Sequence, residues 1–174
     1  PVSNGDAIIC EGETTPQLSV SVGADETANW YDAPAGGTLL QGGSTTYTST
    51  ETAVGFYTYY VETENITSGC VSLTLTPIQF EISENPSGIN AQLEECDLDG
   101  DGFTEFDLTE ANSAISLNTS YTYTYYPTLN DAQNGTGSLS NIYTNTDTPN
   151  QTLYVVISNP TSCSSIVELT LTVN

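Results

Sequence analysis

The chain has 174 residues, 37% of them apolar, with 22 Asp and Glu, no Lys, Arg or His, and a formal charge of −22. The apolar share supports packed cores and excludes a disordered chain, while the missing cations leave carboxylate repulsion unanswered and disfavour nucleic acid or an anionic membrane surface as a partner. Without His or Lys, no base is available for Ser or Thr, so triad and Schiff-base sites are excluded; zinc suits four cysteines poorly, a glycosidase-type carboxylate pair survives only as a remote option, and the chain is read as no enzyme.

Thr, Ser, Tyr, Val, Gly and Asn dominate and Met is absent, which favours short strands joined by turns and an all-β fold. No apolar run is long enough to cross a membrane as a helix. The start at Pro1, without Met or a leader, is read as an interior piece of a longer exported polypeptide.

In chain order, alternation predicts strands over residues 17–22, 28–31, 56–63 and 71–76, with Trp30 as a core residue. The junction PIQFEISENPSGINAQLEEC carries Pro77, Pro86 and Gly88, which predict a short linker within residues 78–93. Ile78, Phe80 and Ile82 alternate, which suggests an edge strand of the following unit. Beyond it, strands are predicted over residues 103–108, 121–126, 152–158 and 166–173, with Thr109 as the N-cap of one helical turn in EANSAI.

The two halves read alike: an aromatic strand, a Gly-rich turn, an apolar strand, a Cys-bearing turn (ITSGC, then NPTSC) and a closing strand (VSLTLTP, then SSIVELTLTVN). The expectation is two tandem Ig-like antiparallel β-sandwich domains, residues 1–80 and 81–174, each with one disulfide. Cys10 with Cys70 and Cys96 with Cys163 give loops of 60 and 67 residues. Such bonds form outside the cytoplasm. The other pairings would tie the units together, and spacing alone does not decide against them.

The stretch CDLDGDGFTEFDL follows the start of an EF-hand loop. Counted from Asp97, Asp99 and Asp101 fall at positions 3 and 5, Gly102 at position 6, and Phe103 at position 7, where a backbone carbonyl serves as ligand. Position 12 is Leu108 rather than Glu, so Glu105 or Asp107 on the solvent-facing side of the next strand is expected to complete the shell, with Phe106 and Leu108 facing the core. Calcium is the ion that suits these hard oxygens. The competing reading is a solvated acidic turn whose glycines only make the bend. Tyr121, Tyr123 and Tyr125 share one strand face, and Tyr57 and Tyr59 share another. Either could stack on sugar rings, although alternating Tyr is more often half-buried sheet surface.

The runs CDLDGDGFTEFDLTEA, YTYTYYPTLNDAQNGTG and YTNTDTPNQTLYVVISNPTSC resemble a repeat of very large surface proteins of flavobacteria and related Bacteroidota. NWYDAPAGGTLL, TYYVE and SGCVS are similar to Ig-like repeats in the same proteins. The resemblance implies an extracellular, cell-surface segment of a tandem β-sandwich array, of the kind exported by the type IX secretion system and found in gliding-motility and attachment adhesins. The expected partners are neighbouring repeats of the same polypeptide, and a surface polysaccharide or solid substrate. The rival reading is a carbohydrate-binding module using the Tyr-rich faces.

Overall fold

Alternation with a period of two dominates this chain, and a computed structural model describing all 174 residues turns it into fourteen strands. They form two compact units, Pro1–Glu84 and Asn85–Asn174.

The first unit is a sandwich. One sheet holds β1 (Val2–Ser3), β3 (Gln17–Ser21) and β6 (Thr46–Thr48) in the order β1-β3-β6. The other comprises β2 (Ala7–Cys10), β4 (Glu26–Tyr31), β5 (Leu39–Gln41), β7 (Gly55–Asn65) and β8 (Thr76–Ser83), ordered β2-β8-β7-β4-β5. Alternate residues of β3, β4, β7 and β8 meet between the sheets: Leu18 and Val20, Ala28 and Trp30, Tyr59 and Val61, and Ile78, Phe80 and Ile82. Trp30 is fully buried, as expected, with its indole N–H donating to the Ser44 carbonyl at 2.8 Å and its ring stacked on Tyr47.

The second unit places β9 (Ala91–Glu95), β11 (Thr122–Tyr126), β13 (Asn150–Ser158) and β14 (Ser164–Val173) in one sheet, ordered β11-β13-β14-β9. The pair β10 (Glu105–Asp107) and β12 (Ile142–Thr144), a 3₁₀ turn at Leu108–Ala111 and helix α1 (Asn112–Ile115) supply its other core residues. Helix α2 (Leu129–Asn134) follows β11, capped by Thr128 and ended by Gly135 at φ +64°. Phe106, Leu108 and Ile115 pack against Tyr125, Leu153, Val155, Leu169 and Leu171. Both units are all-β sandwiches of Ig type, as expected. Two pairs break the antiparallel rule: β2 runs parallel to β8, and β9 parallel to β14.

Several expectations are corrected. Ile78, Phe80 and Ile82 form no edge strand of the second unit but lie in β8, flanked by β2 and β7 in the first. Pro77 is accommodated because β2 joins only from Phe80 onward, leaving β8 with one ladder partner at the proline. Residues 71–76 give no closing strand; Val71 makes an isolated bridge to Glu64, and β8 is the true counterpart of β14. The N-cap of the 3₁₀ turn is Asp107 rather than Thr109, because the Asp107 carboxylate accepts both the amide (3.0 Å) and the hydroxyl (2.6 Å) of Thr109.

The cysteine pairing also differs. Cys10–Cys70 and Cys96–Cys163 do not form: the one disulfide joins Cys10 to Cys163, and Cys70 and Cys96 are exposed free thiols. The parallel pairs explain why. Cys10 lies opposite Ser83, at the Gly55 end of β7, whereas Cys70 is bonded to Asn65 at the other end of that 11-residue strand. The separation is about 30 Å at ~3.3 Å per residue, far beyond the ~7 Å between Cα atoms that a disulfide tolerates. In the second unit Cys163 precedes β14 at Ser164, while Cys96 follows β9 beside the far end of β14, where Asp97 N–H donates to the Asn174 carbonyl.

Candidate metal centre

The DxDxDG run leaves β9 with no regular partner, so its backbone donors turn to its own carboxylates. Asp97 Oδ1 accepts the amides of Asp99 (3.2 Å) and Gly100 (2.8 Å), and its Oδ2 accepts that of Gly102 (2.6 Å). Asp99 Oδ1 accepts the Asp101 amide at 3.4 Å, and Asp101 Oδ1 the Phe103 amide at 2.9 Å. Successive Asx turns of this kind need residues that tolerate left-handed backbone, and Gly100 (φ +79°) and Gly102 (φ +89°) supply it. A Cβ on Gly102 would also meet Thr148 at 3.0 Å.

The turn is held from outside by Asn145. This buried side chain accepts the Thr104 amide at 2.8 Å and donates to the carbonyls of Gly102 and Asp147, each at 3.0 Å. Buried Gln151 braces the same segment, accepting the Thr146 amide and donating to Tyr143 and to the Thr146 hydroxyl. Sequence reasoning missed both residues. Their only signal was amide side chains in a polar run, which matches any loop.

The geometry brings Asp97, Asp99 and Asp101 together, with one oxygen of each within 4.8 Å of the others. Oxygens bound to one calcium at about 2.4 Å lie no more than ~4.8 Å apart, so this hard-oxygen set fits the ion expected there. Asp97 is held below the ordinary carboxylate range, chiefly by the Gly102 and Gly100 amides, while the Asp97 side chain pushes Asp99 above it. Two carboxyl groups close enough to share a proton are a pair that a cation can serve in the proton's place. Asp101 is exposed at the rim.

Of the other expected ligands, the Glu105 and Asp107 carboxylates are not among the three that converge, while Phe103 adjoins the cluster through its amide hydrogen bond to Asp101. Phe103 is half-exposed where the turn leaves toward β10. Glu105 lies opposite Thr144 in the β10–β12 ladder and is exposed. Asp107 is engaged as the cap of the 3₁₀ turn. Phe106 and Leu108 are fully buried, so the side of the strand that faces the core is as the alternation suggested.

The Tyr-rich faces point into the cores. Tyr125 and Tyr59 are buried, and Tyr121, Tyr123 and Tyr57 pack half-buried against the same clusters. Tyr125 donates to Asn112 Oδ1 (2.6 Å), Tyr123 to the Ser116 carbonyl (3.3 Å), and Tyr57 to the Ala53 carbonyl (2.7 Å). Tyr121 and Tyr123 also line a surface cavity with Asn112, Ser116 and Asn118.

Comparison with known proteins finds a match for each unit. Residues 1–83 match the family described as Ig-like domain, CHU_C associated, and residues 92–174 match the Flavobacterium inter-domain disulphide bond domain. Among solved structures, the chain is similar to the fibronectin(III)-like modules of CbhA from Clostridium thermocellum, at 15% identity over 100% of this chain and 91% of that one, with a TM-score of 0.44. It is also similar to human mucin-like protocadherin EC1-2, at 12% identity over 99% and 97% of the two chains and a TM-score of 0.34. The N-terminal four Ig domains of Dscam1 isoform 8.4 align at 13% identity and a TM-score of 0.36 over 99% of this chain, which spans 51% of that one. At such scores the fold assignment rests on the strand pairing described above. No curated protein matches the chain. Over nearly its whole length the chain is thus similar to Ig-like repeats of Flavobacterium and related Bacteroidota.

Proposed function

We propose that this chain is a non-catalytic structural segment of an extracellular bacterial surface protein, an adhesin or filament of the kind that gliding and attachment use. In it, a disulfide couples two sandwiches and calcium rigidifies the start of the second. The observation that carries this reading is the Cys10–Cys163 bond, whose residues belong to different units by sequence. A disulfide persists in an oxidising compartment, and a match named for an inter-domain disulfide supports the same role. The absence of His, Lys and Arg favours it over an enzyme, and the burial of Tyr59 and Tyr125 in the cores favours it over a sugar-binding module.

The mechanical consequence is specific. Load applied at the ends would pass from Cys10 to Cys163 through the bond and bypass the chain between them. Those roughly 150 residues would release about 500 Å of contour length at ~3.5 Å each once the bond is reduced. Force spectroscopy on the oxidised and reduced protein tests this: the reduced chain should release that extra length, and equal lengths in the two states would refute the reading. For the metal, calorimetry on chelator-stripped protein should show calcium uptake that Asp97→Asn together with Asp99→Asn abolishes; absence of any binding heat would remove calcium from the proposal.

A further inference from the structure

A chain with 22 acidic and no basic residues is expected to line its surface cavities with carboxylates, and several follow that expectation. Glu62 lines the cavity beside Tyr31, Asp97 the one at the acidic turn, Glu168 the one beside Tyr154, and Glu13 the one beside Ile9. The cavity of the second unit between α1, the loop over residues 116–121 and β11 carries no carboxylate. It measures about 480 Å³, within the ~300–1,000 Å³ of small-ligand sites.

The chain's own hydrogen bonds fix the lining. Buried Tyr125 donates its hydroxyl to Asn112 Oδ1 at 2.6 Å, and Tyr123, which lines the cavity, donates to the Ser116 carbonyl at 3.3 Å. Asn118 Oδ1 accepts the Ser120 amide at 3.0 Å, and the Asn118 carbonyl accepts the Tyr121 amide at 3.3 Å. These bonds engage the acceptor oxygen of both amide side chains and leave each Nδ2 group to donate elsewhere.

That lining selects its guest. An apolar molecule would strip water from the amide donors and return no acceptor, which is costly. An anion would meet the repulsion of a chain of charge −22. A neutral sugar meets both conditions, because its hydroxyl oxygens accept from the amides while the C–H face of its ring covers half-buried Tyr121 and Tyr123 and exposed Leu117. We propose that this cavity is a subsite for one neutral sugar unit of a polysaccharide, with Asn112 and Asn118 donating to its hydroxyls and Tyr121 packed against its ring. The site shares no residue with the acidic turn or the disulfide, so it stands or falls separately from calcium binding and from the coupling of the units.

The test titrates the full, oxidised, isotope-labelled chain with hexasaccharides of glucose, mannose, galactose and N-acetylglucosamine, and with hexagalacturonate as the acidic counterpart, under observation by NMR. At least one neutral hexasaccharide should shift the side-chain N–H signals of Asn112 and Asn118, and hexagalacturonate should leave them in place. Asn112→Asp keeps the oxygen that Tyr125 needs and removes the donors, so affinity for that sugar should fall about tenfold in a folded chain. Thr119→Phe, at an exposed position of the lining, should fill the cavity and abolish the shifts without lowering the melting temperature. Asn112 and Asn118 signals unmoved by every neutral sugar would overturn the proposal. So would affinity that survives both variants, or equal shifts from hexagalacturonate. Binding lost on addition of a chelator would move the contact to the acidic turn and overturn the assignment to this cavity.

Discussion

Replacing Cys163 with Ser, in the second unit, should destabilise the first. Cys10 is held in register opposite Ser83. When the second unit unfolds on a folded first unit, the bond therefore closes a loop of about 80 residues, worth ~4.5 kcal/mol in the chain-entropy model. The reverse case is similar, because Pro86 is held by the Ser165 hydroxyl at 2.7 Å beside Cys163. Unfolding of the first unit then spans about 76 residues and carries nearly the same ~4.5 kcal/mol. A domain of this size moves by about 4–8 °C per kcal/mol. Since disulfides often deliver less than the entropy model gives, a fall of at least ~10 °C is expected in both transitions. Trp30 is the only tryptophan and lies in the core of the first unit, so its fluorescence isolates that transition, while calorimetry records both. Cys163→Ser and Cys10→Ser should each lower the Trp30 transition by the same amount, and reductant should then add nothing. If Cys163→Ser leaves the Trp30 transition where it was, the coupling argued from the Cys10–Cys163 bond is wrong.

Asn145→Ala should cost the second unit about 2–3 kcal/mol, because the Thr104 amide and the Gly102 carbonyl lose their buried partner. Denaturant unfolding measures this, and calcium affinity should fall with it; an unchanged midpoint would exclude Asn145 as the brace of the turn. The acidic pair gives a pH signature. The depressed pKa of Asp97 contributes stability that is present above the ordinary value of 3.8 and is lost as pH falls through its folded value. The raised pKa of Asp99 acts in the opposite sense: its contribution is present below 3.8 and is lost as pH rises through its folded value. Under the proposed calcium site the ion would take the place of the proton that Asp99 then gives up, so the melting-temperature gain from calcium should grow with pH across that range; a gain independent of pH would contradict it. At the alkaline end, burial raises Tyr125 to about 12 from an ordinary 10.0. Its contribution is full below pH 10 and is lost as pH rises toward 12, so tyrosinate absorbance should appear together with unfolding of the second unit, and Tyr125→Phe should weaken that pH dependence.

Local signals carried most of the fold. Alternation along residues 56–63 and 152–158 reflects strands whose one face is buried, and β7 and β13 extend each run by only a few residues. The acidic turn was legible for the same reason, because Asp, Gly and their spacing act through hydrogen bonds spanning two to five residues. The bracing of that turn was not. Asn145 reaches Thr104 across 41 residues, and no local pattern distinguishes an amide that does so from one left in solvent.

The pairing of the cysteines depends on the least local feature of all. Had every strand been antiparallel to its neighbours, the first strand of each unit would run against the last, and its cysteine would finish beside the turn cysteine of the same unit. The equal loop lengths would then have been the right guide. A parallel first strand reverses this, sending Cys10 to the Ser83 end of its sheet and Cys96 to the Asn174 end. One reversal of strand direction in each unit thus places Cys10 and Cys70, and likewise Cys96 and Cys163, at opposite ends of their sheet, where neither pair can close.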